Sequence, residues 1–291
     1  MQGYLVITPV KDEAPFIGRM VKSMLRQTLK PVCWVIVDDA SRDATPEILA
    51  ELTSGHEFIR VVRMDSGDAH RKPGGGVIEA FNFGIQHATA VDYDFVVKLD
   101  GDLEIPPDYF ERLLQYFGQE PRLGIASGVY LEERRRSQWE AIQMPSYHAA
   151  GAAKTIRRDC FEQIGGFVAA RGWDTVDEIK AMTRGWTTKH FPDLKLLHLK
   201  PEGSGIGHWR TDIMRGEIYY LIGGGKLFFL FKALRALFTL PPLVSGAGMF
   251  FGYAGALLRR PPRLVSPQEA AYYRSLLNRR LLRPLRRSIS R

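Results

Sequence analysis

The stretch Phe95-Val96-Val97-Lys98-Leu99-Asp100-Gly101-Asp102 decides how the rest of the chain is interpreted. Its β-branched and aromatic residues predict a largely buried strand over Phe95 to Leu99. Unpaired carboxylates are costly to bury, so Asp100 and Asp102 are expected to emerge at the carboxyl end of that strand. Open α/β sheets bind ligands at that end, and two acids around a glycine can converge on a divalent cation. Taken alone, the tripeptide is more often a solvated turn.

The composition is that of an ordinary globular protein. The chain has 291 residues, of which 45% are hydrophobic and 25% charged, enough for one large α/β domain and an appendage. Its two cysteines, Cys33 and Cys160, argue against a disulfide framework and for a reducing compartment. The first residues lead straight into an apolar strand without a signal-peptide pattern, so we expect a cytoplasmic protein.

The net charge of +8 is unevenly distributed. Ten arginines and one acid lie between Arg259 and Arg291, so the other 258 residues carry a net charge of −1. A basic tail indicates an anionic partner, either a membrane surface or a nucleic acid. Because the body is near neutral and the tail lacks a recognition motif, we expect no nucleic-acid partner.

Strand and helix patterns alternate along the first two thirds of the chain, which predicts an α/β fold with a mostly parallel, doubly wound sheet. The strands are expected at residues 4–8, 32–37, 59–63, 95–99 and 123–127, and the helices at about 15–25, 45–52, 77–88, 107–117 and 174–184.

Three of the predicted strands are followed by acids: Asp12-Glu13, Asp38-Asp39, and Asp100 with Asp102. The carboxyl ends of parallel strands meet at one edge of a sheet. Three acidic strand ends at one edge are hard to explain as turns, and they predict a crevice for a cation or a polyhydroxyl ligand.

Several segments resemble family 2 glycosyltransferases, in the expected order over about residues 4–215. They are Thr8-Pro9-Val10-Lys11-Asp12-Glu13, Val35-Ile36-Val37-Asp38-Asp39-Ala40-Ser41-Arg42-Asp43, Lys98-Leu99-Asp100-Gly101-Asp102, Gly165-Gly166-Phe167, and Asp174 through Gly185. The resemblance implies a GT-A fold, in which a Rossmann-like half binds a nucleotide-sugar.

The resemblance also implies a donor site. Asp39 would accept hydrogen bonds from the nucleoside, and Pro9 and Glu13 would shape the same pocket. Asp100 and Asp102 would form an Asp-x-Asp motif that holds Mg²⁺ or Mn²⁺ against the diphosphate. Either both acids contact the metal, or Asp102 contacts it and Asp100 lies nearer the ribose. Such a cation stabilises the charge that develops on the leaving diphosphate.

In the family, the base that deprotonates the acceptor hydroxyl is the Asp of a Glu-Asp pair, followed eleven residues later by a glycine. Asp174 and Gly185 match that spacing. Trp173 stands in place of the usual Glu; its indole could stack on an acceptor sugar or indicate a shifted alignment. Asp177 and Glu178 are the alternative bases, although a solvated helix face explains them more simply.

Two further features have competing explanations. The loop His70 to Gly76 contains Lys72 and three glycines and could contact phosphate, but it does not match a Walker motif and can equally be a mobile surface loop. His198 could complete the metal shell, but a structural histidine is the simpler interpretation.

The stretch from Ala236 to Leu258 is 23 residues without a charge, nominally enough to span a bilayer. Pro241-Pro242 and four glycines interrupt it, and basic residues flank both ends. This favours an interfacial or re-entrant segment over a transmembrane helix, unless the stretch packs against the catalytic domain or a second subunit. We therefore expect a catalytic domain over 1–215 and a helical tail over 216–291 that associates with the inner face of the cell membrane.

Together these features predict an inverting, hexosyltransferase-type enzyme. It would move a sugar from a nucleotide-diphosphate donor to a glycan or lipid-linked acceptor in polysaccharide or glycolipid synthesis. The alternatives are a polyprenyl-phosphate glycosyltransferase, whose acceptor scarcely needs a base, and a metal-dependent nucleotidyltransferase. The latter normally has a glycine-rich, basic signature after the first strand, which Thr8-Pro9-Val10-Lys11 lacks.

Overall fold

The computed structural model describes residues 3–64, 75–88, 91–134, 138–200, 207–237 and 244–289. By its internal contacts the chain divides into two units, Met1–Pro201 and Glu202–Arg291. The division falls before the predicted boundary at residue 215, because the helix His208–Leu221 packs within the second unit.

The strands of the first unit form one mixed sheet. They are β1 (Tyr4–Val10), β2 (Cys33–Asp38), β3 (Ile59–Arg63), β4 (Phe95–Leu99), β5 (Leu103–Glu104), β6 (Leu123–Arg134), β7 (Gln138–Ala141), β8 (Ala153–Arg157) and β9 (Thr187–His198).

The helices of the first unit lie between these strands, and all of them except α5 are where the sequence pattern predicts them. They are α1 (Ala14–Leu25), α2 (Thr45–Thr53), α3 (Gly76–Gln86), α4 (Tyr109–Gln119), α5 (Arg158–Ile164) and α6 (Trp173–Thr183). The second unit contains α7 (His208–Leu221), α8 (Lys226–Ala236), α9 (Val244–Arg259) and α10 (Pro267–Ile289).

The sheet order is β3-β2-β1-β4-β8-β6-β9-β5, with β7 paired to β6. The four strands from β3 to β4 are parallel, but β8 is antiparallel to both of its neighbours. The prediction of a mostly parallel sheet therefore holds for one half only. A parallel pair needs a crossover connection, whereas β8 is reached through the β6–β7 hairpin and an irregular segment, which let it enter in the reverse direction.

Alternate residues of the central strands pack on opposite faces of the sheet. Tyr4 and Val6 of β1 contact the helices α1 and α4, while Leu5 and Ile7 contact α3. Both faces are thus covered by helices, which explains the continuous apolar runs of the strands.

The register of the parallel strands brings the predicted acidic strand ends to one edge. Val10 at the end of β1 pairs with Asp38 at the end of β2. Ile7 of β1 pairs with Lys98 of β4, so the turn after β4 lies beside the end of β1. The predicted grouping of acids at one edge is confirmed.

In the second unit, glycines allow α7 and α9 to pack closely. A Cβ at Gly216 would lie 2.0 Å from the carbonyl oxygen of Met249, and one at Gly252 would lie 1.9 Å from that of Ile213. Much of the uncharged run from residue 244 onwards is therefore used for packing inside its own unit. None of the helices in the described ranges is both long enough and apolar enough to cross a membrane.

Two glycines of α9 provide a matched test of this packing. We expect Gly252→Ala to destabilise the second unit by about 1–3 kcal/mol or more, because its methyl group would overlap backbone atoms of α7. Gly255 has only a flexible arginine atom near its Cβ position, at 3.9 Å. Gly255→Ala should therefore raise stability by about 0.5–1 kcal/mol through helix propensity. Thermal unfolding of the two variants measures both shifts, and equal shifts would contradict the packing.

Candidate functional site

The Asp100-Gly101-Asp102 turn is fixed on both sides by backbone hydrogen bonds. The Asp100 N–H donates to the carbonyl oxygen of Ala152, and the Leu199 N–H donates to that of Asp102, both at 2.8 Å. A Cβ at Gly101 would lie 2.8 Å from Cγ1 of Val10. Glycine is thus required here for close approach to β1, and the two acids are held at the edge of the sheet.

Asp102, His198 and Glu132 form a chain of polar contacts. His198 Nε2 lies 3.5 Å from Asp102 Oδ2, and His198 Nδ1 lies 3.1 Å from Glu132 Oε1. The other carboxylate oxygen of Asp102, Oδ1, is buried and has no hydrogen-bond partner among the described residues. A histidine held by a carboxylate on one nitrogen and aimed at an acid with the other is typical of the surroundings of a metal ion.

The protonation of His198 depends on the same contacts. Burial disfavours the imidazolium, but Asp102 and then Glu132 outweigh burial and raise the pKa of His198 to about 9. A cation that binds His198 would have to displace the proton from its imidazole.

The residues present fit a divalent cation that takes part of its shell from a ligand. Among the described residues, no group of three or more His, Cys, Asp or Glu side chains is placed to hold a metal. Mg²⁺ typically uses only one or two carboxylates and completes its shell with substrate phosphates and water. Asp102 can supply such a carboxylate, and His198 Nε2 lies beside it at 3.5 Å as a candidate nitrogen ligand for Mn²⁺. Asp100 differs, since its Oδ1 accepts a short hydrogen bond from Lys98.

The end of β2 supplies the second acidic group. Asp38 is buried and fully engaged, because it contacts the guanidinium of Arg63 at 3.1 Å and accepts a hydrogen bond from the Ser41 N–H. Asp39 contacts Lys11 through Oδ2 at 3.3 Å, whereas its Oδ1 is buried without a hydrogen-bond partner in the described ranges. Of the two neighbouring acids, only Asp39 keeps a buried acceptor available for a ligand.

The turn after β1 is bonded to α2 and to the segment that follows β9. The Glu13 N–H donates to Thr45 Oγ1 at 2.9 Å, and Glu13 Oε1 accepts a hydrogen bond from Lys200 at 2.9 Å. Pro9 is half-buried in β1 and pairs with Val37. Lys72 lies outside the described residues.

Asp174 is half-buried in the first turn of α6, which follows Gly172 in the left-handed conformation. A Cβ at Gly151 would lie 3.5 Å from the Asp174 Cβ. The next residue, Ala152, accepts the hydrogen bond from Asp100. The candidate base and the Asp-x-Asp turn therefore contact the same two-residue segment.

Trp173 is buried rather than available to a sugar. Its ring packs edge-on against Phe167 at 4.7 Å, and the ammonium groups of Lys98 and Lys154 lie 5.4 Å and 5.3 Å from it. The suggested stacking on an acceptor is thus wrong, because the first turn of α6 packs this side chain onto the sheet.

Lys154 is the centre of a buried ionic cluster with Asp177 and Glu178. Its ammonium donates to the carbonyl oxygen of Asp174 at 2.6 Å, to Asp177 at 2.9 Å and to Glu178 at 3.4 Å. Glu178 also contacts His148 at 3.0 Å. Asp177 and Glu178 are 2% and 0% exposed, so they do not form a solvated helix face, and their burial also argues against them as alternative bases.

The protonation equilibria of the cluster follow from these contacts. Burial disfavours the Lys154 ammonium, but the two carboxylates outweigh it and raise the pKa of Lys154 above its ordinary value. Burial likewise opposes ionisation of Glu178, yet Lys154 and His148 lower its pKa. For Asp177, burial dominates and raises the pKa. One carboxylate is therefore firmly ionised and its neighbour much less so.

Sequence reasoning missed Lys98, Lys154 and Glu132 as parts of the site. A signal was present for Lys98, because it interrupts an otherwise apolar strand whose residues are all buried. A charged residue in such a strand must have a partner, and the nearby acids are the candidates.

Comparison with known proteins identifies the family. The model of Glycosyl transferase family 2 matches residues 5–173, more than half of the chain, and the chain belongs to this family. The poly-beta-1,6-N-acetyl-D-glucosamine synthase of Staphylococcus aureus (strain COL) is 27% identical over 233 residues. That alignment covers 73% of this chain and 53% of the synthase, so the chain spans about half of that relative.

Two solved structures have a similar fold. The mannosyltransferase PcManGT of Pyrobaculum calidifontis, solved with GDP-Man and Mn²⁺, has a TM-score of 0.56 at 21% identity over 99% of this chain and 83% of its own. TarS 1–349 of S. aureus, solved with UDP-GlcNAc, has a TM-score of 0.55 at 15% identity over 87% and 72% of the two chains. The expected GT-A fold is thereby supported.

The buried cluster gives a direct stability prediction. Lys154→Met would leave Glu178 and Asp177 buried without their cation, and we expect a loss of about 3–5 kcal/mol in the free energy of unfolding. Lys195→Met, at an exposed position of β9, is the control and should stay within about 0.5 kcal/mol of the parent chain. Urea denaturation compares the two, and equal values would contradict the assigned role of Lys154.

Proposed function

We propose that the chain is an inverting glycosyltransferase that moves a sugar from a nucleotide-diphosphate donor to a glycan or lipid-linked acceptor. The observation that carries this proposal is the pair of buried carboxylate oxygens, Asp39 Oδ1 and Asp102 Oδ1, which lack hydrogen-bond partners in the described part of the chain. Both belong to acids that follow strands ending at one edge of the sheet. A nucleotide-sugar with its cation offers hydroxyl donors to one and a metal to the other.

The donor is proposed to lie along this edge. Asp39 would accept hydrogen bonds from the nucleoside, between Pro9 and Glu13 on one side and Asp100 on the other. Lys72 is retained as a candidate phosphate contact from the sequence. PcManGT and TarS, which share the fold, were solved with GDP-Man and UDP-GlcNAc, and this supports a nucleotide-sugar as the ligand class.

Asp102 and His198 are proposed to hold Mg²⁺ or Mn²⁺. When bound, the cation stabilises negative charge on the diphosphate as it leaves. Asp100, which is paired with Lys98, would act mainly by orienting the donor.

Asp174 is proposed as the base that takes the proton of the acceptor hydroxyl. Two contacts support this role. Asp174 lies beside Gly151, next to the residue that anchors Asp100. Its own backbone is held by Lys154, which fixes the first turn of α6 relative to the sheet.

The likeness to a polysaccharide synthase supports a role in cell-surface polysaccharide or glycolipid synthesis. We place the protein in the cytoplasm, peripherally on the inner face of the cell membrane, since a lipid-linked or extruded acceptor would be met there.

Donor binding can be tested by thermal unfolding with a panel of UDP-, GDP- and dTDP-sugars, with and without Mn²⁺. One donor class should stabilise the protein, by about 2.7 kcal/mol at a concentration one hundred times its Kd. Asp102→Asn should remove the Mn²⁺-dependent part of the stabilisation, while Asp92→Asn, at a fully exposed position, should leave it intact. The proposal fails if no nucleotide-sugar stabilises the parent chain. Stabilisation by a nucleoside triphosphate, together with release of pyrophosphate from it, would favour the nucleotidyltransferase.

The base is tested separately with Asp174→Asn. We expect transfer to the acceptor to fall by about 10²–10⁴-fold, the usual contribution of a positioned base, with stabilisation by the donor retained. Asp159→Asn, on the exposed surface of α5, serves as the control in the same transfer assay. Turnover in Asp174→Asn equal to that of the parent chain would reject Asp174 as the base and favour a phosphate acceptor.

A further inference from the structure

Helix α8 has an exposed apolar stripe made of Leu227, Leu230, Phe231 and Leu234. These side chains are 49–69% exposed. Their spacing of three, four and seven residues places them on one face of the helix. Phe229 and Ala233 lie on another face and are buried inside the second unit. Helix α8 is thus apolar on two sides, and its own unit covers only one of them.

An exposed aromatic group lies on α7 and α9 of the same unit. The ring of Trp209 contacts that of Phe251 at 6.1 Å, and Phe251 contacts Phe250 at 6.3 Å. All three side chains are exposed. Trp and other aromatic residues are enriched at the interface between membrane and water, where one part of the ring system is apolar and another is wet.

The charge of this unit is strongly positive. Residues 202–291 contain fifteen lysines and arginines and four acids, a net charge of +11, so the first 201 residues carry −3. Lys226 and Arg235, both exposed, lie at the two ends of the apolar stripe. An occupant of this face must therefore accept apolar side chains at its centre and cations at its edges.

We infer that the stripe on α8 docks in the plane of an anionic lipid bilayer, with Leu and Phe side chains entering the acyl region and Lys226 and Arg235 at the headgroups. The helix has 11 residues, a length of about 17 Å, which suits an interfacial position and is too short to span a hydrocarbon core of about 30 Å.

Two other occupants fit the face less well. A second copy of this chain would bring the same positive charge against it, which opposes association. A nucleic acid would satisfy the cations but would leave the Leu and Phe side chains without an apolar partner. The anionic bilayer satisfies both features together.

The docking surface overlaps only in part with the one that the sequence indicated. The uncharged run from Ala236 to Leu258 suggested an inserting segment; Gly246, Gly248 and Gly252 of that run are buried, whereas Phe250 and Phe251 are exposed. The stripe lies before the run, in a segment that contains charges. This inference deepens the peripheral placement proposed above and does not depend on the glycosyl-transfer chemistry.

The test is cosedimentation of the full chain with phosphatidylcholine vesicles, with and without phosphatidylglycerol. The parent chain should bind the anionic vesicles preferentially and should be released between about 0.1 M and about 1 M salt. The double variant Leu230→Ser/Phe231→Ser should bind about tenfold or more weakly. Val61→Ser, which changes an exposed apolar residue of β3, should bind like the parent chain.

Circular dichroism and thermal unfolding establish that the double variant is folded. Stabilisation of the same sample by a nucleotide-sugar tests the proposed function separately, so that a failure of vesicle binding is not mistaken for a failure of the proposed function. Equal vesicle binding by the double variant and the parent chain would overturn the stripe as the docking face. Equal binding to neutral and anionic vesicles would overturn the anionic partner. A dimer of the parent chain that becomes a monomer in the double variant would show that a second copy covers the stripe instead.

Discussion

The geometry of the candidate site depends on the contacts that the buried ammonium of Lys154 makes with α6. Lys154 lies on β8, directly opposite Lys98 of β4, and it holds α6 through the backbone of Asp174 and the side chain of Asp177. Lys98 in turn holds Asp100, and the Trp173 ring lies near both lysines. Removing two cations from water is costly, and the aromatic face and the acids offset part of that cost. The antiparallel insertion of β8 is what brings the two lysines together.

This arrangement suits the Trp173 side chain. The resemblance to the family implies an acid at that position, and here the two lysines are paired with Asp100, Asp177 and Glu178. A further acid would be redundant, whereas an indole contributes apolar burial and attraction to both cations. Buried ion pairs add little to the net stability of a fold, but removing one partner is strongly destabilising because the other charge is left buried and unpaired. The cluster therefore fixes where the first turn of α6 begins more than it stabilises the fold.

Much of the fold is predictable from the sequence, because apolar strands of the β1 type and the helices between them have clear periodic patterns. The grouping of acids at one edge follows from the same reasoning, since parallel strands end together. β8 was not predicted, because its sequence Ala-Lys-Thr-Ile-Arg has only two apolar residues and lacks the apolar run of the central strands. Asp177 and Glu178 were misjudged because a sequence pattern does not show which face of α6 meets a buried lysine. The sequence predicts a membrane-associating tail over 216–291 but does not show that α8 carries the exposed stripe, because its apolar residues alternate with charges and the longer uncharged run packs partly against α7 through its glycines.

The partners of the acids separate structural carboxylates from candidate ligand-binding ones. Asp38, Asp177 and Glu178 are buried and are engaged by cations or backbone N–H groups. Asp39 and Asp102 each keep one buried oxygen without a hydrogen-bond partner among the described residues. An unsatisfied buried acceptor costs about 1–3 kcal/mol, and a bound ligand is one way to recover that cost. The roles proposed for the Asp-x-Asp motif follow from this difference: Asp100 is paired with Lys98 within the protein, and Asp102 is the acid proposed to bind a partner from outside.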